Sequence, residues 1–472
     1  MQTKSLLKTR SRDSGLAASC SRPQARPLSP LERWYWIWDQ VSPLNVIARA
    51  RVSGPLSPAL LRSALDVLQD RHPLLQVSVE ADSRGRNPRF VPCTHRQIPL
   101  RVNTHEALEE ETWQREVDET ELALPIDARE GPLARAVVIS SSTLDPAEPP
   151  REHELLLTVS HVIADGTTAL SLLEQWLEHA AQLHAGRAVQ RGPAVNRPPP
   201  EGLLPPRFTG VRGLKPVAVM QARALADALL VRPRRLRASE PVAFEARRSR
   251  LIHRELPSDV VDALARRCRK EGVSVHGALT AALVHAVADE ARLETPCSIT
   301  VGSPLDIRRD LKPCVGNDEV GAYVTTLPTH VPYKRGASIY ASARHINRDL
   351  SVRKARGETF ASLRFLQFFA PRSLSESGRA AKLVESSGPG NLCVSNLGRF
   401  PFPESIGPFR ITGPQFIAGI SVSGYFVAAI NTTHGILNAN FTYIDRIISR
   451  ARADTLVTKW IEAVHRALET SD

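Results

Sequence analysis

Between Leu155 and Ala180 the hydrophobic period changes from that of a strand to that of a helix, and the change takes only seven residues, Ser160-His161-Val162-Ile163-Ala164-Asp165-Gly166. Leu155-Leu156-Leu157-Thr158-Val159 is a short apolar run of the kind that forms a strand buried on both faces. From Thr167 onward, Leu170, Leu173, Trp176, Leu177 and Ala180 recur at helical spacing, and Gly186 supplies a stop. Asp165-Gly166 breaks the strand pattern between them. A chain built around such a strand–loop–helix unit is an α/β protein, and its loop can project a side chain into a cleft.

The rest of the sequence repeats this grammar. A short helix is expected to open near Ser29-Pro30-Leu31-Glu32, followed by a strand over Asn45–Val52. Ser57-Pro58 reads as an N-cap with proline in the first helical turn. Leu61, Leu65 and Leu68 give that helix one buried face, and Arg71-His72-Pro73 ends it, because the residue before proline avoids the helical region. Leu74–Glu80 reads as a strand, and residues 104–122 as an acidic amphipathic helix. Residues 187–245 differ in texture: nine prolines and many arginines mark a linker or crossover, with one helix around 216–230. A strand at Ser249–Leu256 restarts the pattern. Helices are expected from Ser258 and over Ser274–Ala288, then strands alternating with helices, then an amphipathic helix over about 448–468. The reading gives a basic disordered tail at 1–27, a first α/β domain at 28–186, the linker at 187–245 and a second α/β domain at 246–472.

Composition narrows the function. No run approaches the roughly 18 consecutive apolar residues of a membrane helix. The net charge is +12, and eight arginines between Arg232 and Arg254 face only Glu240 and Glu245. That cluster reads as a solvated linker face or as a docking surface for an acidic carrier protein or for cofactor phosphates. Aromatic residues are 5% of the chain and no stacking motif accompanies the arginines, which argues against nucleic acid. The six cysteines, Cys20, Cys93, Cys268, Cys297, Cys314 and Cys393, are irregularly spaced and form no CxxC pair. They suit buried thiols in a reducing, cytoplasmic compartment better than a structural zinc site, so no metal is expected.

His161 is the candidate catalytic residue. Imidazole has an unperturbed pKa near the working pH, as a general base requires. An acid four residues later, across a tight turn, can lock the loop that presents it. Gly166 would let backbone pass close to a ligand or adopt a dihedral closed to other residues. HxxxD occurs three times, at His161–Asp165, His285–Asp289 and His345–Asp349. The last two lie in helical patterns, where residues four apart are simply neighbours. Only His161–Asp165 is followed by glycine; random placement at average composition gives roughly 0.04 such matches.

The segment resembles the HHxxxDG motif of the condensation-domain superfamily, which includes carrier-protein-dependent condensation domains, polyketide-associated acyltransferases and alcohol acyltransferases. Four other stretches resemble that superfamily in the expected order. They are Arg71-His72-Pro73-Leu74-Leu75, the P-x-D-x-R segment in Ser303-Pro304-Leu305-Asp306-Ile307-Arg308, the G-N-x-x-G turn from Val315-Gly316-Asn317 to Gly321-Ala322-Tyr323, and Val394-Ser395-Asn396-Leu397-Gly398. The resemblance spans about residues 28–470. It implies two chloramphenicol-acetyltransferase-like α/β sandwich domains in one chain, forming a V around a tunnel that donor and acceptor enter from opposite faces. It implies His161 as the base, and Asp165 turned away to pair with Arg308. Ser395 and Asn396 are the candidates for oxyanion or tunnel contacts.

Two departures shape the expected chemistry. Ser160 replaces the first histidine, which disfavours a peptide-bond-forming condensation domain. No DFGWG segment is present, which favours the bacterial polyketide-associated branch. With no carrier or adenylation domain in the sequence, a stand-alone monomeric acyltransferase is expected. It would hold no bound cofactor and take coenzyme A or acyl-carrier-protein phosphopantetheine thioesters as donors. The acceptor would be the hydroxyl or amine of a lipid, polyketide or other secondary metabolite. The rival readings are an amide-forming condensation enzyme acting on two carrier-bound substrates, a catalytically silent recruiting module, and a nucleic-acid binder resting on charge alone.

Overall fold

The computed structural model describes residues 24–106, 108–141, 152–189, 197–388, 391–422 and 424–469. Most of the expected tail, with Cys20, and the centre of the expected linker, 190–196, lie outside them. Two six-stranded sheets organise the rest, each with helices packed on it.

In the first sheet the strand Glu152–Ser160 is central. It pairs antiparallel with Asn45–Ser53 on one side and Ala134–Ser141 on the other. Leu155, Leu156, Leu157 and Val159 are almost wholly buried, which is why this run is continuously apolar rather than alternating. The strand's last residue, Ser160, opens the motif loop, and the helix Gly166–His184 follows. That helix packs on helix Pro58–Arg71, whose start is capped as expected, with Ser57 accepting a hydrogen bond from the Leu60 N–H. The opening helix Pro30–Val41 begins with a full capping box between Ser29 and Glu32.

The second sheet runs in the order Val324–Tyr333, Cys297–Asp306, Leu392–Arg399, Phe426–Thr433, Ile436–Ile444, Ser249–Leu256. Helix Val275–Glu290 is apolar on every side, and Gly277 through Ala288 are all buried, as a helix sandwiched in a core must be. The terminal helix Arg450–Glu469 lies against it, with Trp460 donating to the Leu279 carbonyl.

Several expectations change. Leu74–Glu80 is not one strand: Pro73–Gln76 forms a 3₁₀ turn, and only Val77–Glu80 is extended. The span 104–122 divides into the end of strand Leu100–His105, a helix at Glu110–Glu116 and a π turn at Val117–Glu121. Arg26–Pro27, placed in the tail, pairs with Arg89–Phe90 in a small third sheet. The linker helix spans Leu214–Ala226 with a π turn over Asp227–Val231. In the arginine-rich stretch, Arg247 is buried and ion-paired with Glu385, so that stretch is not simply a solvated face. After residue 392 helices no longer alternate with strands; five strands follow one another before the last helix.

The largest departure concerns the division at residue 246. Strand Phe409–Ala418 leaves the second half of the chain and joins the first sheet, antiparallel to Asn45–Ser53. Side chains of the second sheet hold it there. Asn440 donates through Nδ2 to Gln415 Oε1 at 2.8 Å and to the Phe416 carbonyl at 2.9 Å. Asn431 Nδ2 and Thr433 Oγ1 both donate to the Pro414 carbonyl, and Thr442 Oγ1 donates to Ala418. The period of a strand reveals that it is a strand, not which sheet receives it.

Asn440→Ala is expected to lower stability by about 1–3 kcal/mol, because it leaves buried polar groups of the crossing strand without partners. A urea midpoint unchanged from wild type would mean that pairing with Asn45–Ser53 suffices to hold the strand.

Candidate functional site

The motif loop is fixed from both ends. His161 N–H donates to the Leu44 carbonyl at 3.1 Å, and Ile163 N–H to the Ser160 carbonyl. Asp165 is the N-cap of the motif helix, accepting from the Thr168 N–H at 2.9 Å. Its second oxygen accepts from the Tyr323 N–H at 2.8 Å, in the other half of the chain.

Arg308 completes the arrangement. Its two terminal nitrogens donate to the two Asp165 oxygens at 2.8 and 2.9 Å, a bidentate pair. Nη2 also donates to Thr168 Oγ1 at 2.7 Å, and Thr168 Oγ1 donates to the Gly321 carbonyl. The Asp306 carboxylate accepts from the Arg308 N–H. Arg308 is 1% exposed and lies over the Tyr323 ring. Burial alone would raise the Asp165 carboxyl; the Arg308 charge and the two backbone N–H groups outweigh it and hold the carboxyl below its usual range. Gly321, at φ +159, leaves no room for a side chain, since an added Cβ would fall 2.5 Å from the Tyr323 ring. The P-x-D-x-R segment and the G-N turn thus meet on one carboxylate.

His161 borders a cavity of about 300 Å³ between the two sheets. Val46, Phe416 and Ala418 line it from the first sheet, and Pro304, Thr326 and Cys393 from the second. Ser395 and Asn396 also reach it, on strand Leu392–Arg399. Asn396 is tied locally, its Oδ1 accepting from the Gly398 N–H, whereas Ser395 Oγ has no hydrogen-bond partner among the described residues. The Tyr35 ring stacks on the His161 ring, centroids 4.1 Å apart and planes 11° from parallel. His161 Nδ1 is buried without a partner among the described residues. Burial lowers the His161 pKa, only partly offset by the charge of Asp165, so the ring is neutral at neutral pH. A neutral, clamped imidazole facing an apolar cavity can accept a proton.

Gly166 has a packing reason different from the two expected ones. Its φ is ordinary, and a Cβ there would fall 2.7 Å from the Phe416 ring of the crossing strand. Ser160 is fully buried, with its Oγ 3.4 Å from the Val162 N–H it accepts. The other two HxxxD pairs stand apart from the cavity: His285 bonds Ser342, and Asp349 pairs with Arg353 and Arg223. His72 is buried against Gln175, and burial pushes it down to about 4. Tyr35 was missed by motif reasoning, although Trp34-Tyr35-Trp36 and Trp38 gather three of the six tryptophans into five positions. Trp34 and Trp38 line the cavity with it.

Residues 245–424 match the family model described as phthiocerol/phthiodiolone dimycocerosyl transferase C-terminus. Over that stretch the chain is similar to the condensation-domain and acyltransferase superfamily. Among curated relatives it is 28% identical, over 319 residues, to a probable non-canonical nonribosomal peptide synthetase of Salinispora arenicola, covering 65% of this chain and 4% of that protein. The chain spans between 2% and 4% of the length of the curated relatives it matches. Two solved structures share the chain's fold. Trichothecene 15-O-acetyltransferase from Fusarium sporotrichioides has a TM-score of 0.73 at 13% identity, over 94% of this chain and 96% of that one. The first condensation domain of the calcium-dependent antibiotic synthetase has a TM-score of 0.62 at 16% identity, over 96% and 98%. In the superfamily's terms the architecture is two chloramphenicol-acetyltransferase-like α/β units with a cavity between their sheets.

Asp165→Asn is expected to cost about 3–5 kcal/mol, because it strands the buried Arg308 charge. The depressed carboxyl pKa gives stability that is present above the unfolded value and lost as pH falls through the folded one. Urea unfolding of wild type and variant from pH 7 to pH 3 measures both. A variant as stable as wild type at pH 7 would show that the pair is not needed to hold the loop.

Proposed function

We propose that this chain is an acyltransferase that moves an acyl group from a thioester to a hydroxyl or amine, with His161 as the general base. The observation that carries the reading is the neutral, Tyr35-stacked imidazole bordering a cavity lined from both sheets, while the Asp165 carboxylate is committed to Arg308 and backbone. The superfamily match supports transferase chemistry. The donor is a coenzyme A or acyl-carrier-protein phosphopantetheine thioester, and the acceptor is a lipid, polyketide or other secondary metabolite.

His161 takes the acceptor proton as the acceptor oxygen or nitrogen forms its bond to the thioester carbonyl carbon. The resulting tetrahedral intermediate carries an oxyanion. As it collapses the carbon–sulfur bond breaks, and the imidazolium returns its proton to the departing thiolate. The acyl group passes directly between substrates, so no acyl-enzyme is needed. Ser395 Oγ, on the cavity wall and without another partner among the described residues, is the candidate oxyanion donor. Asp165 sets the position of the loop and moves no proton. Holding both substrates in a largely apolar cavity lowers the entropic part of the barrier.

The relatives that are peptide synthetases favour a second reading, in which both donor and acceptor are carrier-bound and the product is an amide. Ser160 in place of the motif's first histidine weighs against it.

A thiol-release assay separates these readings. Acetyl-, octanoyl- and palmitoyl-coenzyme A are offered with a panel of alcohols and amines, and the same acyl groups on a carrier protein. Acceptor-dependent thiol release is expected, falling by about a hundredfold or more in His161→Ala. Equal rates in the two proteins would remove His161 as base, and release only between two loaded carriers would favour the condensation reading.

A further inference from the structure

Helix Leu214–Ala226 and the turn Asp227–Val231 that continues it are inside out. Two of their three charged side chains face the protein: Arg223 pairs with Asp349, and Asp227 lies 3.6 Å from His330 and 3.7 Å from Arg353. Apart from the buried Val217 and the half-buried Met220, their large apolar side chains face away. Leu225 is 63% exposed, Leu229 60% and Leu230 83%, with Val211 just upstream at 83%. Seven of the thirteen exposed large hydrophobic side chains among the described residues lie between Val211 and Val231. Phe368 and Phe369, at the end of the neighbouring helix Glu358–Phe369, extend this face. Arg364 lies over Phe368 and donates to the Gly210 carbonyl, so the two segments are contiguous. An apolar face of this extent, along about 27 Å of helix, is unusual on a surface exposed to water.

The charges around the face have one sign. Arg207, Arg212 and Lys215 are exposed at its start, and Arg232, Arg234 and Arg237 at its end. Residues 207–237 contain one acid, Asp227, and it is the one turned inward. Exposed leucines bounded at both ends by cations match the interface of a lipid bilayer that carries anionic head groups. The leucines stand on a convex helix rather than in a groove, which suits a fluid surface better than the helix of a folded partner. Residues 1–23, with five Lys or Arg and one acid, would be repelled by the same cations.

We propose that this face docks on an anionic membrane surface, with helix Leu214–Ala226 lying in the interface plane. Helix Glu358–Phe369 packs between this face and strand Val324–Tyr333, whose Val324 and Thr326 line the cavity. Docking therefore holds the cavity one helix layer from the bilayer. The inference does not depend on acyl transfer.

The test is co-sedimentation of the full chain with vesicles of phosphatidylcholine containing phosphatidylglycerol, and with phosphatidylcholine alone. Binding to the anionic vesicles is expected, weakening as salt is raised. The triple variant Leu225→Glu, Leu229→Glu, Leu230→Glu, with its thermal midpoint unchanged because these side chains are exposed, should bind at least about tenfold more weakly. Arg212→Glu with Arg237→Glu should weaken binding most at low salt. Wild type that stays in the supernatant with anionic vesicles overturns the proposal. So does equal binding by the triple variant, or self-association in sedimentation velocity that the triple variant abolishes while vesicles are ignored, which would make a second copy the occupant.

Discussion

The buried pair between Asp165 and Arg308 is the constraint on which the rest of the site depends. Two charges removed from water cost several kcal/mol each, and such a pair often returns little net stability. Its effect here is on geometry. One carboxylate caps the motif helix, receives the Tyr323 N–H and binds both terminal nitrogens of Arg308. The loop carrying His161 is thereby held in register with the second half of the chain, across the cavity it borders. Loss of either partner would leave the other charge buried, so the loop has no inexpensive alternative position.

That commitment also sets the character of His161. A carboxylate free to face the ring would stabilise imidazolium and hold the proton that a base must release. Asp165 is occupied elsewhere, and burial leaves the imidazole neutral. Tyr35 restrains the ring from the side, and the crossing strand closes the cavity by placing Phe416 against Gly166. The two sheets therefore do not merely lie near each other. Asn431, Asn440 and Thr433 tie strand Phe409–Ala418 to the second sheet while its backbone pairs with the first.

Features written in local pattern were legible in the sequence. The strand–loop–helix unit, the cap at Ser57 and the helix read over Ser274–Ala288 need only neighbouring residues to be seen. The α/β architecture followed from them and from the family resemblance. What escaped depends on distant residues. The strand Phe409–Ala418 looks like any other until its partner Asn45–Ser53 is known. Gly166 has the φ of an ordinary residue, and its need for glycine comes from a ring some 250 positions away. Residues 104–122 are amphipathic enough to pass for one helix, yet the strand Leu100–His105 gains more by pairing with Ala134–Ser141. Tyr35 is a stacking partner, and stacking across the fold leaves no period to read, only the cluster of aromatics around it.

The most direct test of this account is an NMR titration of the His161 imidazole in the wild-type protein, assigned by comparison with His161→Ala. The account predicts a midpoint below the unperturbed value of about 6.5, with the ring neutral throughout the neutral range. A midpoint at or above that value would mean that a carboxylate reaches the ring, and it would contradict the separation of roles between Asp165 and His161.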